Sequence, residues 1–276
     1  MTAPLDLRHS TNPTQIPLMD TEELRENYLV TDLFVPGEIR GTYTHEDRMI
    51  VAGIVPAGKD IALPTYDELR TENFLDNREA GIINIGGDGT IKAGGVSYDM
   101  PNGAVLYLGR GTKDVVFSGG DAVYYLVSAT AHHTYPNVRK LADEGNVLEM
   151  GDIKTSNRRT IRQMIVDGQV ESCQLVMGVT TLHEGSMWNT MPAHTHDRRT
   201  EVYLYYGLPE DARVFHMMGE PKESRHLVVA DREVIISPSW SIHTGVGTSA
   251  YSFVWAMAGE NKVFTDMDTQ NAADIC

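Results

Sequence analysis

The sequence predicts an all-β protein built from two copies of one domain. Three observations support this: short β-branched or aromatic runs separated by turn signals, no helical periods alternating with them, and halves that repeat. The runs are Ile82–Ile85, Ala104–Leu108, Val115–Phe117, Ala122–Val127, Val202–Tyr206, Val234–Ile236 and Tyr251–Ala256. Between them stand Gly86-Gly87-Asp88-Gly89, Gly94-Gly95 and Pro101-Asn102-Gly103, residues that supply positive φ or a fixed φ at turns. One helix is expected from Asp20 to about Tyr28, with Asp20 as N-cap and Glu23 answering it. The polar stretch Asn137–Gly151, with a brief helix around Leu141, is the natural boundary. The expected segments are therefore an N-terminal arm over 1–30, a first domain over 31–150 and a second over 151–276.

The repeat rests on three matches in the same order. Val51-Ala52-Gly53-Ile54-Val55 resembles Val176-Met177-Gly178-Val179-Thr180 at an offset of 125, and Gly86 matches Gly207 at 121. Gly103-x5-Gly109-x-Gly111-x2-Asp114 matches Arg232-x5-Pro238-x-Trp240-x2-His243 at 129. Offsets drifting by a few residues describe a duplicated domain with loop insertions.

Composition narrows the function classes. Hydrophobic residues at 41% and charged residues at 22% give a globular balance, and 276 residues suffice for two domains. A net charge of −15 argues against a nucleic-acid partner, and any anionic substrate must meet locally gathered arginines. No apolar run is long enough to cross a bilayer, so no membrane partner is expected. Met1–Asp20 lacks a cationic segment followed by an apolar one, and Cys173 and Cys276 cannot make a disulfide framework; a reducing cytoplasm is expected.

The chemistry is concentrated in His194-Thr-His196-Asp-Arg-Arg-Thr-Glu201-Val-Tyr-Leu-Tyr-Tyr-Gly207. Residues two apart on a strand share a face, so His194 and His196 can aim at one point. Glu201, five residues beyond His196, requires Asp197-Arg198-Arg199 to be a turn that starts a new strand with Glu201, Tyr203 and Tyr205 facing inward. His243 arrives from Pro238-Ser-Trp-Ser-Ile-His243. An isolated His-x-His is more often a packing or surface pair; the glutamate and the distant histidine tip the reading to a metal. Three imidazoles and a carboxylate suit zinc, iron, manganese or nickel.

His-x-His-x4-Glu followed by Gly, and Pro-x4-His about forty residues later, resembles the two cupin motifs. Trp240 and Gly247 depart from the usual glycine and asparagine, but all four ligands are kept. The resemblance implies a bicupin, two tandem double-stranded β-helix (jelly-roll) barrels with short peripheral helices. In the first half Asp114 stands where His243 should and Gly109 replaces the proline, so that barrel is expected to be metal-free. Asn84-Ile-Gly-Gly87, Thr155–Ile161, Leu182–Glu201, Phe215–Gly219, Ile236–His243 and Gly259-Glu-Asn261 together resemble the 5-keto-4-deoxyuronate isomerase family. That resemblance implies a cytoplasmic bicupin of pectin and uronate breakdown with one Zn2+ per chain, assembled as a homo-oligomer, a hexamer. The reaction implied is aldose–ketose isomerisation of 5-keto-4-deoxyuronate, an anionic sugar acid, to 3-deoxy-D-glycero-2,5-hexodiulosonate through an enediolate.

Such a reaction needs a base, and Glu201 and His216 are the candidates. Metal binding would reduce the basicity of Glu201, while His216 alternates with Val214 and Met218 and could equally be a hydrogen-bonded core residue. The substrate carboxylate calls for a guanidinium, from Arg158, Arg159, Arg198, Arg199 or Arg225. Tyr251, Phe253, Trp255 and Met257 alternate as a barrel wall. Other functions fit parts of this pattern: 5-deoxyglucuronate isomerase, an iron-dependent cupin dioxygenase, and a non-catalytic metal- or sugar-binding bicupin.

Overall fold

A computed structural model describes residues 4–276, and their regular structure is mainly strand. The chain divides into two compact units. The first takes residues 4–8, Asp32–Asn146 and Met164–Val176; the second takes His9–Thr31, Val147–Gln163 and Met177–Cys276. Relative to consecutive segments, two stretches change place. The helical arm packs with the second unit, and residues 164–176 return to the first.

In the first unit the large sheet runs, edge to edge, Asp6–Arg8, Ile39–Thr44, Ile50–Ile54, Tyr124–Thr130, Arg78–Asn84, Val105–Leu108 and Val138–Lys140. The facing sheet has four strands, Ile61–Ala62, Val116–Ser118, Gly89–Ala93 and Val96–Met100. Alternate residues, among them Ile50, Ala52, Ile54, Ala80, Ile82, Leu106, Leu108, Ile91 and Phe117, point between the sheets and fill the interior with hydrocarbon. On the other face of its strand, buried Glu79 accepts the Tyr107 hydroxyl at 2.6 Å and the backbone N–H groups of Cys173, Gln174 and Leu175 at 2.7 Å each. Those four bonds explain why residues 172–175 belong to this unit: a buried carboxylate needs its oxygens satisfied. The brief helix expected around Leu141 does not form. A turn closed by Glu144 N–H donating to Leu141 O (3.0 Å) and Leu141 N–H donating to the Glu144 carboxylate (2.7 Å) separates Val138–Lys140 from Asn146–Met150. A self-bonded acidic turn thus replaces the helical bonds.

The second unit repeats this order strand for strand. Its large sheet runs Asn146–Met150, Arg159–Ile165, Val176–Leu182, Ser252–Gly259, Arg199–Tyr206, Val234–Ser237 and Leu29–Val30. The facing sheet runs Trp188–Asn189, Thr244–Gly247, Val214–Glu220 and Glu223–Val229. The expected helix is Thr21–Tyr28, capped as its sequence implies: Glu23 N–H donates to the Asp20 carboxylate at 2.9 Å and Asp20 N–H to that of Glu23 at 3.0 Å. Leu24 and Tyr28 are its buried face. Gly178 has a packing reason, because a Cβ there would run into the Trp255 ring and the Arg162 carbonyl. A side chain there would have to displace that indole.

Candidate metal centre

The four histidine and glutamate side chains singled out above converge in the second unit. A turn at Asp197–Arg198, closed by Arg199 N–H donating to His196 O at 2.9 Å, reverses the face that a straight strand would impose. Glu201 then enters the long strand, paired with Met257 on one side and Ser237 on the other. The His194 Nε2 atom lies 3.1 Å from Nε2 of His196 and 3.1 Å from Nε2 of His243. Glu201 Oε2 is 3.0 Å from His196 Nε2 and 2.9 Å from His243 Nε2. All four donor atoms lie within 4.8 Å of one another and all four residues are buried.

This donor set fits a divalent cation. Bonds of about 2.0–2.2 Å to one ion place neighbouring ligand atoms about 2.8–3.6 Å apart for bond angles from 90° to tetrahedral, and the four contacts of 2.9–3.1 Å fall in that range. Three lone-pair nitrogens facing each other have no shared acceptor, whereas a cation accepts all of them. The opposite sides of the rings are arranged accordingly: His194 bonds the Pro192 carbonyl, His196 Nδ1 donates to Asp266 O at 2.8 Å, and His243 Nδ1 lies 3.3 Å from Ser241 O. Each carbonyl holds the proton away from Nε2. Burial, then the neighbouring His243 and His196, lower the His194 pKa to about 2, so the imidazole is neutral and available. Burial would raise Glu201, but His243 and His196 outweigh it and hold the carboxyl below its usual range.

The centre forms one wall of a cavity of about 260 Å³. Glu201, His194 and His196 line it together with Arg159, Thr180, Thr190 and Tyr203. Phe253, Trp255 and Met257 supply the alternating wall read from the sequence, and Phe264 and Met267 add to it. The result is an apolar chamber with its polar groups gathered at the donor set and at Arg159.

The pattern that defines the KduI/IolB family matches residues 37–275. The chain belongs to the KduI/IolB family. A 4-deoxy-L-threo-5-hexosulose-uronate ketol-isomerase of Kineococcus radiotolerans is 55% identical over 278 residues, covering 98% of this chain and 100% of the relative. The enzyme of that name from Bacillus pumilus is 49% identical over 267 residues, covering 96% and 97%. Among solved structures, an IolB-like protein of Salmonella typhimurium LT2 superposes with a TM-score of 0.67 at 18% identity, covering 80% of this chain and 86% of that one. A Bacillus subtilis oxalate decarboxylase variant gives 0.54 at 10%, covering 78% and 70%. These two likenesses bear on fold alone, and the fold is the all-β bicupin.

Within this KduI/IolB chain the five arginines have different settings. Arg159 is 8% exposed and lines the cavity; Nη1 donates to Asn157 O at 2.9 Å, and among the described residues it has no carboxylate partner. Burial lowers its pKa from the ordinary guanidinium value. Arg158 is exposed. Arg225 is engaged by Glu223 at 2.8 Å and the Pro17 carbonyl. Arg198 holds the carboxylates of Asp266 and Asp268, and Arg199 donates to the carbonyls of Val263 and Asp266. Neither Arg198 nor Arg199 lines the cavity. His216 is fully buried, with Nδ1 2.7 Å from the Tyr205 hydroxyl and Nε2 unpartnered; it too is absent from the cavity wall. Burial, then His243, lower its pKa to about 3. Asp266 escaped the reading of the sequence. Its one available signal was Gly259-Glu-Asn261, whose Asn261 donates to the Asp266 carboxylate at 2.6 Å.

Proposed function

We propose that this chain is an aldose–ketose isomerase acting on 5-keto-4-deoxyuronate, giving 3-deoxy-D-glycero-2,5-hexodiulosonate in pectin and uronate catabolism. The observation that carries this reading is a buried donor set of three imidazoles and one carboxylate, facing one cavity with an arginine that lacks a carboxylate partner. The naming of its full-length relatives as ketol-isomerases supports the same conclusion.

His194, His196, Glu201 and His243 would hold one divalent ion, which we take to be zinc, since isomerisation involves no net redox change. Bound there, the ion supplies Lewis acidity where negative charge grows on the carbonyl and hydroxyl oxygens. Arg159 binds the substrate carboxylate, for which its planar fork is suited. The apolar wall of Phe253, Trp255 and Met257 excludes water from the reacting carbons and accommodates the deoxy methylene. Proton transfer is assigned to Glu201, the sole carboxylate on the cavity wall among the described residues. Its low basicity is offset by proximity to the substrate. His216 lies behind this wall, so its assigned part is to orient Tyr205. A homo-oligomer, a hexamer, working in the cytoplasm completes the reading; no helix among the described residues is long and apolar enough to cross a membrane.

The test is a direct assay of 5-keto-4-deoxyuronate isomerisation by purified protein, with product identified by NMR and bound metal counted. Turnover that disappears on chelation and returns with zinc supports the proposal. Full metal occupancy without isomerisation, or oxygen uptake in its place, refutes it.

A further inference from the structure

The chain after Gly259 crosses the metal-binding turn and then runs beside the ligands. Gly259 permits the crossing: a Cβ there would collide with the Arg198 carbonyl and lie 2.8 Å from Arg199 Cα. Glu260 N–H then donates to Arg198 O at 2.9 Å. Farther on, Asp268–Thr269 pairs antiparallel with His194–Thr195, and Gln270 N–H donates to Ala193 O at 2.8 Å. Between these two attachments Phe264 and Met267 turn to the cavity, with Phe264 5.3 Å from the Trp255 ring. Residues 260–270 are thus a strap that closes one side of the chamber.

Asp266 fastens the middle of the strap with both of its polar ends. Its carboxylate takes Arg198 Nε at 2.8 Å and Nη2 at 2.6 Å, a two-pronged pair, plus the Asn261 amide at 2.6 Å. Its carbonyl accepts His196 Nδ1–H at 2.8 Å and Arg199 Nη2 at 2.7 Å. The same residue therefore anchors the cavity wall and fixes the ring of a metal ligand. We infer that Asp266 is a positioning residue through which metal loading and closure of the 260–270 strap are coupled. A strap held by Arg198 keeps the Asp266 carbonyl under His196, so Nε2 is aimed at the donor set before metal arrives. By reciprocity, metal that fixes His196 must in turn hold the strap. The coupling also explains why Arg198 and Arg199 sit next to the ligands without facing the cavity.

This inference rests on the metal centre proposed above, and the experiment separates the two. Zinc affinity is measured by competition with a chromophoric chelator for the wild-type chain, Asp266→Ala and the milder Arg198→Lys. Amide exchange over 260–270 is followed with and without zinc. Second-sphere partners of ligating histidines typically account for about 10–100-fold in affinity. Asp266→Ala is therefore expected to bind zinc about 10–100-fold more weakly, Arg198→Lys by less, and zinc is expected to slow exchange across the strap. Exchange in 202–206, in the buried strand of the same unit, serves as the folding control; should Asp266→Ala unfold, Arg198→Lys alone decides. Wild-type zinc affinity in the folded variants, or strap exchange indifferent to zinc, overturns the inference while leaving the metal centre intact. A wild-type chain that binds no zinc overturns the metal centre itself.

Discussion

Replacing Arg159 with Met removes the guanidinium while leaving a side chain of similar length in the cavity wall. Arg159 is almost buried, commits one nitrogen to the Asn157 carbonyl and has no carboxylate partner among the described residues, so its remaining donors are available to substrate. Charge-assisted hydrogen bonds contribute about 1.5–3 kcal/mol each, and stripping one partner from a buried ion pair costs about 3–5 kcal/mol. With each 1.4 kcal/mol worth a factor of ten, kcat/KM should fall by about 10² to 10⁴. Arg159→Lys, which keeps the charge and loses the second prong, should lose about 10–100-fold. Stability should move little, because burial already disfavours the charged guanidinium in the free protein. The assay is steady-state isomerisation alongside metal content and denaturant unfolding. A variant with wild-type metal and stability whose kcat/KM stays within about threefold refutes the assignment of Arg159 to the substrate carboxylate.

Gly178→Ala should destabilise the second unit by about 1–3 kcal/mol, read from the denaturation midpoint, since its Cβ must displace the Trp255 ring or the Arg162 carbonyl. His216 carries a pH signature. Its folded pKa is about 3 against about 6.5 unfolded, so the unfolded chain binds the extra proton, and stability falls as pH drops from about 6.5 towards 3. Wild type should lose about 1.4 kcal/mol per pH unit more than His216→Phe across that window, a difference visible in parallel unfolding titrations. Zinc added at about 1,000 times its dissociation constant should stabilise the metal-free chain by about 4 kcal/mol, seen as a raised thermal midpoint. His243→Ala should largely abolish that shift, because it removes a ligand whose Nε2 lies 3.1 Å from His194 and 2.9 Å from Glu201 in the donor set.

The parts of this molecule that were legible in the sequence are those governed by local rules. Short β-branched or aromatic runs and Gly-rich turns marked the strands, and the His194–His196 pair stood apart from packing histidines because Glu201 and the distant His243 accompanied it. The drift in repeat offsets matched a strand order that is the same in both units. What stayed hidden depends on contacts distant in the chain. Five arginines are chemically equal in a sequence; only the fold shows Arg198 paired with a residue 68 positions away and Arg159 left facing the cavity. His216 illustrates the same limit, since alternation put it inside the barrel but could not tell the cavity wall from the layer behind Tyr203. Nor does any local pattern announce the bonds of Glu79 to Cys173, Gln174 and Leu175, which link segments far apart in the chain.

The most direct measurement is anomalous diffraction at the zinc edge from crystals of the metal-loaded chain, with occupancy refined per protomer. One ion per chain is expected, bonded at about 2.0–2.2 Å to Nε2 of His194, His196 and His243 and to a Glu201 oxygen. No anomalous peak among those four atoms in crystals of protein that still isomerises the uronate would contradict the account at its centre.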